Sequence, residues 1–281
     1  MRASALQTVA TGAPVSEWSP SVASFELMPS EFLATTVPFG FAHQGGTDIA
    51  PGNTEAAFQH AVSLGYSHIE TDVQATADGI LAVFHDDDLG PLTGTKGKIA
   101  DRSWAELSEL QVGGEHPIPR FEDMVERFPT VRFNVDPKND LAVNPLVELI
   151  HRHGLEERVC VGSFSGRRLA QFRSQVGPPV CTSPAIWGVV RVLAAAVLGR
   201  KGTSSPNSAL QIPTAYYGIP LTGKWLMGRV HRLGLQIHVW TINEEAEMNR
   251  LLDNGVDAIM TDRVTLLRDV LQTRGHWPPS G

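Results

Sequence analysis

Short β-branched or aromatic runs alternate, along most of the chain, with longer stretches in which apolar residues recur at helical spacing. FGFAH precedes TEAAFQHAVSLG, RFNVD precedes NPLVELIHRHG, RVCVGSF precedes GRRLAQFRS, and PPVCT precedes AIWGVVRVLAAAVLG. ALQIP, LQIHVWTI and DAIMT are each followed by a further helical stretch. After HIETDV the helix is delayed, because a polar, glycine-rich excursion over residues 75 to 118, holding the short run ILAVFH, comes before RFEDMVERF. About eight strand-and-helix units predict an α/β fold, a parallel (β/α)8 TIM barrel with a polar insertion after the second strand. No G-x-G-x-x-G run argues for a dinucleotide-binding open sheet instead. Residues 1–37 read as a partly disordered lead-in, 38–272 as the barrel domain and 273–281 as a tail.

Barrel enzymes gather their chemistry at the carboxyl ends of the strands. The first strand ends in His43, within HQGG. The second carries Glu70 and Asp72, whose i, i+2 spacing turns both carboxylates to one side. The excursion brings His85 at the end of its own short run, in FHDDD, and the third strand ends in Asp136 and Lys138. Hard carboxylate oxygens suit one divalent cation, Mg2+ or Ca2+, whereas zinc would recruit His or Cys. The histidines are then free for proton transfer, with Lys138 and the Gln44 amide completing an anion pocket. That set is suited to attack at a phosphorus centre.

Composition narrows the alternatives. The chain has 281 residues, 42% hydrophobic and 19% charged, enough for a sizeable core without disulfides. A net charge of -7 gives no reason to expect nucleic acid. Cys160 and Cys181 lie in apolar runs and read as reduced core thiols, which suits a cytoplasmic address. The lead-in lacks the unbroken apolar core of a signal peptide, and no run of roughly 18 uncharged apolar residues predicts a membrane span. The apolar segment 186–199, interrupted by Arg191, reads either as a buried helix or as a peripheral membrane contact. His60, His68, His151, His153 and His231 fall on helices or strand starts and read as structural. GSFSG lacks a nucleophile elbow because Phe164 takes its central place.

The stretch from AHQGG through PGNTEAAF and HIETDV to FHDDDL resembles the amino-terminal signature of the glycerophosphodiester phosphodiesterases, and FNVDPK, GSFS, HVWTIN and GVDAIMTD continue the match in order. The resemblance implies a metal-dependent phosphodiesterase releasing sn-glycerol 3-phosphate and an alcohol. It makes His43 and His85 the general acid and base, and Glu70, Asp72 and Asp136 the ligands of the cation. Lys138 matches the lysine after the third ligand, and Trp240 lies in the segment lining the pocket mouth, although its apolar strand equally allows a core role. No serine, threonine or cysteine is placed beside either histidine, so the glycerol 2-hydroxyl of the substrate is the expected nucleophile.

Three positions depart from the family pattern: Gln44 stands for the usual arginine, Gly52 for a glutamate and Pro91 for a common arginine. An amide cannot form a charged bidentate clamp on phosphate, so these losses predict a changed substrate, a weaker phosphate grip, or both. A lysophospholipase-D-like activity on lysophospholipids is the alternative within the enzymes. A non-catalytic head-group binder is the alternative outside them, although a binder has no need of two histidines beside the cation.

Overall fold

The structure, a computed structural model, describes residues 30–36, 38–177, 180–200 and 209–277. Eight parallel strands form the barrel: β1 Phe39–His43, β2 His68–Ala75, β3 Arg132–Pro137, β4 Val159–Val161, β5 Cys181–Thr182, β6 Ala209–Ile212, β7 Gln236–Val239 and β8 Ala258–Thr261. Hydrogen-bonded neighbours run in the order β5-β4-β3-β2-β1-β8-β7-β6. Between β5 and β6 no ladder joins the described residues, so the barrel is nearly closed, and β5 is only two residues long.

The helices are α1 Glu55–Ser63, α2 Phe121–Arg127, α3 Val143–His153, α4 Gly166–Val176, α5 Ile186–Val197, α6 Lys224–His231, α7 Glu245–Asp253 and α8 Val264–Thr273. Their starts follow local chemistry: the hydroxyls of Thr54 and Ser165 accept from the backbone N–H groups of Ala57 and Arg168, capping α1 and α4. Helix α3 buries Val143, Leu146, Val147 and Ile150 along one stripe and stops at Gly154, whose φ of 60° a side chain would oppose. Helix α5 is the exception. Ten of its twelve residues are apolar, yet only Ala196 is fully buried.

The excursion after β2 is more ordered than its polar composition suggests. Leu81–Val83 pairs antiparallel with β2, and Phe84, Leu89, Ile99, Leu107, Val112 and Ile118 form a small core of their own. Pro91 sits in the first turn of the short helix Gly90–Thr93, where a missing N–H costs nothing. His85 follows that strand by two residues instead of ending it. A hairpin that the sequence pattern did not announce, Ala215–Tyr216 with Ile219–Pro220, borders the cavity at the carboxyl ends of the strands.

The amino-terminal floor of the barrel is aromatic. Phe32, from a short 3-10 helix at Glu31–Leu33, packs with Phe41 and His68, which in turn meet His238 and Phe39. Residues 1–29 of the expected lead-in lie outside the described residues, as do residues 278–281 of the tail. Trp277 lies edge-on to Tyr66 and donates to the Leu64 carbonyl at 3.2 Å. Cys160 and Cys181 are buried free thiols at paired positions of β4 and β5.

Candidate active site

Strand register brings the site together. His43 on β1 pairs with Glu70 on β2, and Asp72 pairs with Asp136 on β3. Asp262, one residue beyond β8, completes the arc. A cavity of about 800 Å³ opens above these ends, lined by His43, Glu70, Asp72, His85, Asp136 and Lys138 at one end, with Trp240 at its side. Seven of the eight residues singled out in the sequence therefore share one cavity. Gln44 does not line it; its side chain faces a smaller cavity of about 190 Å³ beside His85.

Both histidines are oriented through Nδ1 by a carboxylate. His43 Nδ1 lies 2.6 Å from Asp262 Oδ1, and His85 Nδ1 lies 2.7 Å from Asp86 Oδ1. Such a contact fixes ring orientation and leaves Nε2 as the working nitrogen. Burial lowers the basicity of His43, but Glu70 at 3.7 Å, Asp262 and Asp72 outweigh it and raise its pKa to about 9. Asp262 is in turn held by Asn243, which donates to its Oδ2 at 2.8 Å. The hydrogen bonds from His43 and Asn243 overcome burial and keep Asp262 below the usual carboxylate range. His85 is half exposed, and its loop is secured by Gln74, which donates to the Asp86 carbonyl at 2.8 Å.

Glu70 is 7% exposed and Asp72 1%, so these carboxylates have left water and need compensation. Asp72 Oδ2 accepts from Gln44 Nε2 and Asn53 Nδ2, each at 2.8 Å, while Glu70 Oε2 accepts from the Gln44 backbone N–H at 3.2 Å. Lys138 Nζ lies 2.9 Å from both Asp72 Oδ1 and Asp136 Oδ2. Burial opposes the Lys138 charge, but those two carboxylates prevail and raise its pKa. Burial, then Asp72, pushes Glu70 well above its ordinary value. Asp136 is raised by burial too, and its Oδ1 is buried with no hydrogen-bond partner.

These observations test the expected cation site. Among the described residues no three His, Cys, Asp or Glu side chains are gathered closely enough to hold an ion in common. The floor is drawn instead around the Lys138 ammonium. The donor chemistry nevertheless fits a hard cation: Glu70, Asp72 and Asp136 line one cavity, and Asp136 Oδ1 is buried with no hydrogen-bond partner.

The family model of the glycerophosphoryl diester phosphodiesterases matches residues 43–266. The chain belongs to that family. A Mycobacterium tuberculosis member named probable glycerophosphodiester phosphodiesterase 2 is 36% identical over 252 residues, covering 88% of this chain and 96% of its own. A human member, lysophospholipase D GDPD1, is 28% identical over 272 residues, with 82% and 85% covered. An Oleispira antarctica phosphodiesterase, solved in complex with its product sn-glycerol-3-phosphate, superposes with a TM-score of 0.69 at 22% identity, covering 84% of this chain and 97% of that one. At that identity the likeness speaks for the family fold.

Sequence reading missed Asp262, Asn243 and Asn53 as parts of this cluster. Asp262 carried the same signal as the others, an acid at a strand's carboxyl end, at the close of GVDAIMTD. Asn53 and Asn243 act on carboxylates 19 residues away, by contacts that no spacing announces.

Proposed function

We propose that this protein hydrolyses glycerophosphodiesters to sn-glycerol 3-phosphate and an alcohol, with His43 and His85 as the acid–base pair. One observation carries the reading: two carboxylate-oriented imidazoles face a cluster of buried carboxylates within a single cavity. Glu70, Asp72 and Asp136 would hold one divalent cation, Mg2+ or Ca2+, which would neutralise charge on the phosphoryl oxygens. Lys138, freed from between Asp72 and Asp136, would place its ammonium on the phosphate.

No protein nucleophile is required. One histidine takes the proton of the glycerol 2-hydroxyl as its oxygen bonds to phosphorus; the other gives a proton to the departing alcohol as the phosphorus–oxygen bond breaks. The resulting cyclic glycerol phosphate is opened by water with the two roles reversed. A 2-deoxy analogue should bind as an inhibitor and remain uncleaved; turnover at a rate near the parent compound would leave direct attack by water as the route. His43→Ala and His85→Ala should each lower kcat by about 10² to 10⁴. A head-group binder would show neither turnover nor a response to these substitutions beyond binding.

A further inference from the structure

The cavity has a neutral polar base that the acid–base chemistry leaves unused. Asn134 pairs with Glu70 in the β2–β3 ladder and lies two residues before Asp136, so it shares the face that carries Asp136, one layer deeper in the barrel. Gln211 of β6 reaches it, donating from Nε2 to Asn134 Oδ1 at 2.8 Å between strands that share no ladder. Both residues line the cavity.

The two amides are held in one orientation from the floor of the barrel upward. Gln236 Nε2 donates to the Leu33 carbonyl at 2.9 Å, which turns Gln236 Oε1 towards His238 Nε2 at 3.2 Å. An acceptor there puts the proton of the neutral, fully buried His238 ring on Nε2, and leaves Nδ1 to accept from Gln211 Nε2 at 3.5 Å. Gln211 Nε2 is thereby committed to His238 and Asn134, and its oxygen is the end left over. Gly162, just after β4, clears space for that oxygen, since a Cβ at residue 162 would stand 3.2 Å from Gln211 Oε1. Among the described residues, neither Gln211 Oε1 nor Asn134 Nδ2 makes a hydrogen bond within the protein.

We infer that Asn134 and Gln211 are specificity residues for the terminal hydroxyl of the glycerol, the one that takes no part in bond making at phosphorus. The inference rests on the phosphodiesterase reading, which gives the 2-hydroxyl to a histidine and leaves the terminal one without a partner. A hydroxyl suits the pair because it donates once, to Gln211 Oε1, while accepting from Asn134 Nδ2. A carboxylate would be repelled by the Gln211 oxygen, and an ammonium would leave the Asn134 N–H groups unpaired. A site built for a hydroxyl rejects the analogue that lacks it, because amide groups dried by the ligand then go unpaired.

Kinetics on sn-glycero-3-phosphocholine and on (R)-2-hydroxypropyl phosphocholine, which keeps the 2-hydroxyl and lacks only the terminal one, test the assignment. In the wild-type protein kcat/KM should favour the glycerol compound by at least about tenfold. Gln211→Met and Asn134→Leu should each bring that ratio to within about threefold of one while the deoxy compound is still cleaved; a merely loosened site would slow both substrates alike and leave the ratio unchanged. A wild-type ratio near one, or a ratio that Gln211→Met leaves unchanged, would overturn the assignment and leave the phosphodiesterase reading intact. If Gln211→Met fails to fold, Asn134→Leu decides. If neither diester is hydrolysed, calorimetric binding of sn-glycerol 3-phosphate and of (R)-2-hydroxypropyl phosphate replaces the kinetics. Glycerol phosphate bound at least tenfold more tightly, with the difference lost in Gln211→Met, supports the subsite; equal affinities, or no binding of either, refute it.

Discussion

Gly52 lies directly beneath the side chain of Gln44: a Cβ at residue 52 would stand 2.8 Å from Gln44 Oε1 and 2.9 Å from its Cβ. Gln44 itself holds a positive φ of 52° while its amide reaches Asp72. The absence of a side chain at Gly52 therefore leaves the space that the Gln44 side chain fills. Gly52→Ala should destabilise the fold by about 1–3 kcal/mol through overpacking. In a Gln44→Ala background most of that cost should vanish, a coupling detectable by urea unfolding of the four proteins. Additive costs would show that the two positions are independent.

Cation binding should depend on the carboxylates and be opposed by the lysine among them. Glu70→Gln and Asp136→Asn should each weaken Mg2+ or Ca2+ binding at least about tenfold. Lys138→Met should tighten it, because an ammonium 2.9 Å from Asp72 and Asp136, two of the proposed ligands, competes for the same charge. The same substitution should lower kcat/KM. Calorimetric titration of the three variants separates these outcomes, and full turnover in excess chelator would remove the cation from the mechanism.

Asp262 is a positioning residue for His43. Asp262→Asn keeps the shape but not the charge, and it allows the imidazole the wrong tautomer. We expect kcat to fall by about 10² to 10⁴, as when the orienting acid of a histidine base is lost. KM and cation affinity should stay within about twofold. Equal loss in cation affinity would indicate a collapsed site instead.

The floor predicts acid sensitivity. His68 and His238 are pushed down to about 3 from 6.5, chiefly by burial; the Phe32 carbonyl opposes the shift at His68 and Arg132 adds to it, and His68 adds to it at His238. Their polar neighbours are the Phe32 carbonyl, Ser67, Gln211 and Gln236, none of which is ionised. A folded pKa below the unfolded one means the fold prefers the neutral ring. The associated stability is complete above about pH 6.5 and is lost as pH falls towards 3, at about 2–3 kcal/mol per ring by ~pH 4.5. His238→Gln should flatten the dependence of the urea midpoint on pH across that window. An unchanged slope would mean that the ring does not titrate with unfolding.

The alternation of runs made the barrel legible, because strand and helix periods depend on neighbours within one element. The same logic reached His43, Glu70, Asp72 and Asp136, which need only a strand end and an i, i+2 rule. It stopped where contacts cross the fold. Nothing near Gln44 in sequence indicates that its amide turns to Asp72, or that Lys138 bridges two acids. Helix α5 was ambiguous for a related reason, since an apolar stripe looks identical whether it faces a barrel or lines a cavity. The hairpin at 215–220 escaped notice because its strands are only two residues each.

The contact between His43 and Asp262 joins residues 219 positions apart, at the ends of the first and last strands of the barrel. At ribosomal speeds the imidazole waits about 10 to 40 s for the acid that orients it. Translation past Asp262 is thus a condition of an oriented imidazole. A chain ended early by a nonsense codon can carry His43, Glu70, Asp72, His85 and Asp136 and still present an imidazole with nothing behind it.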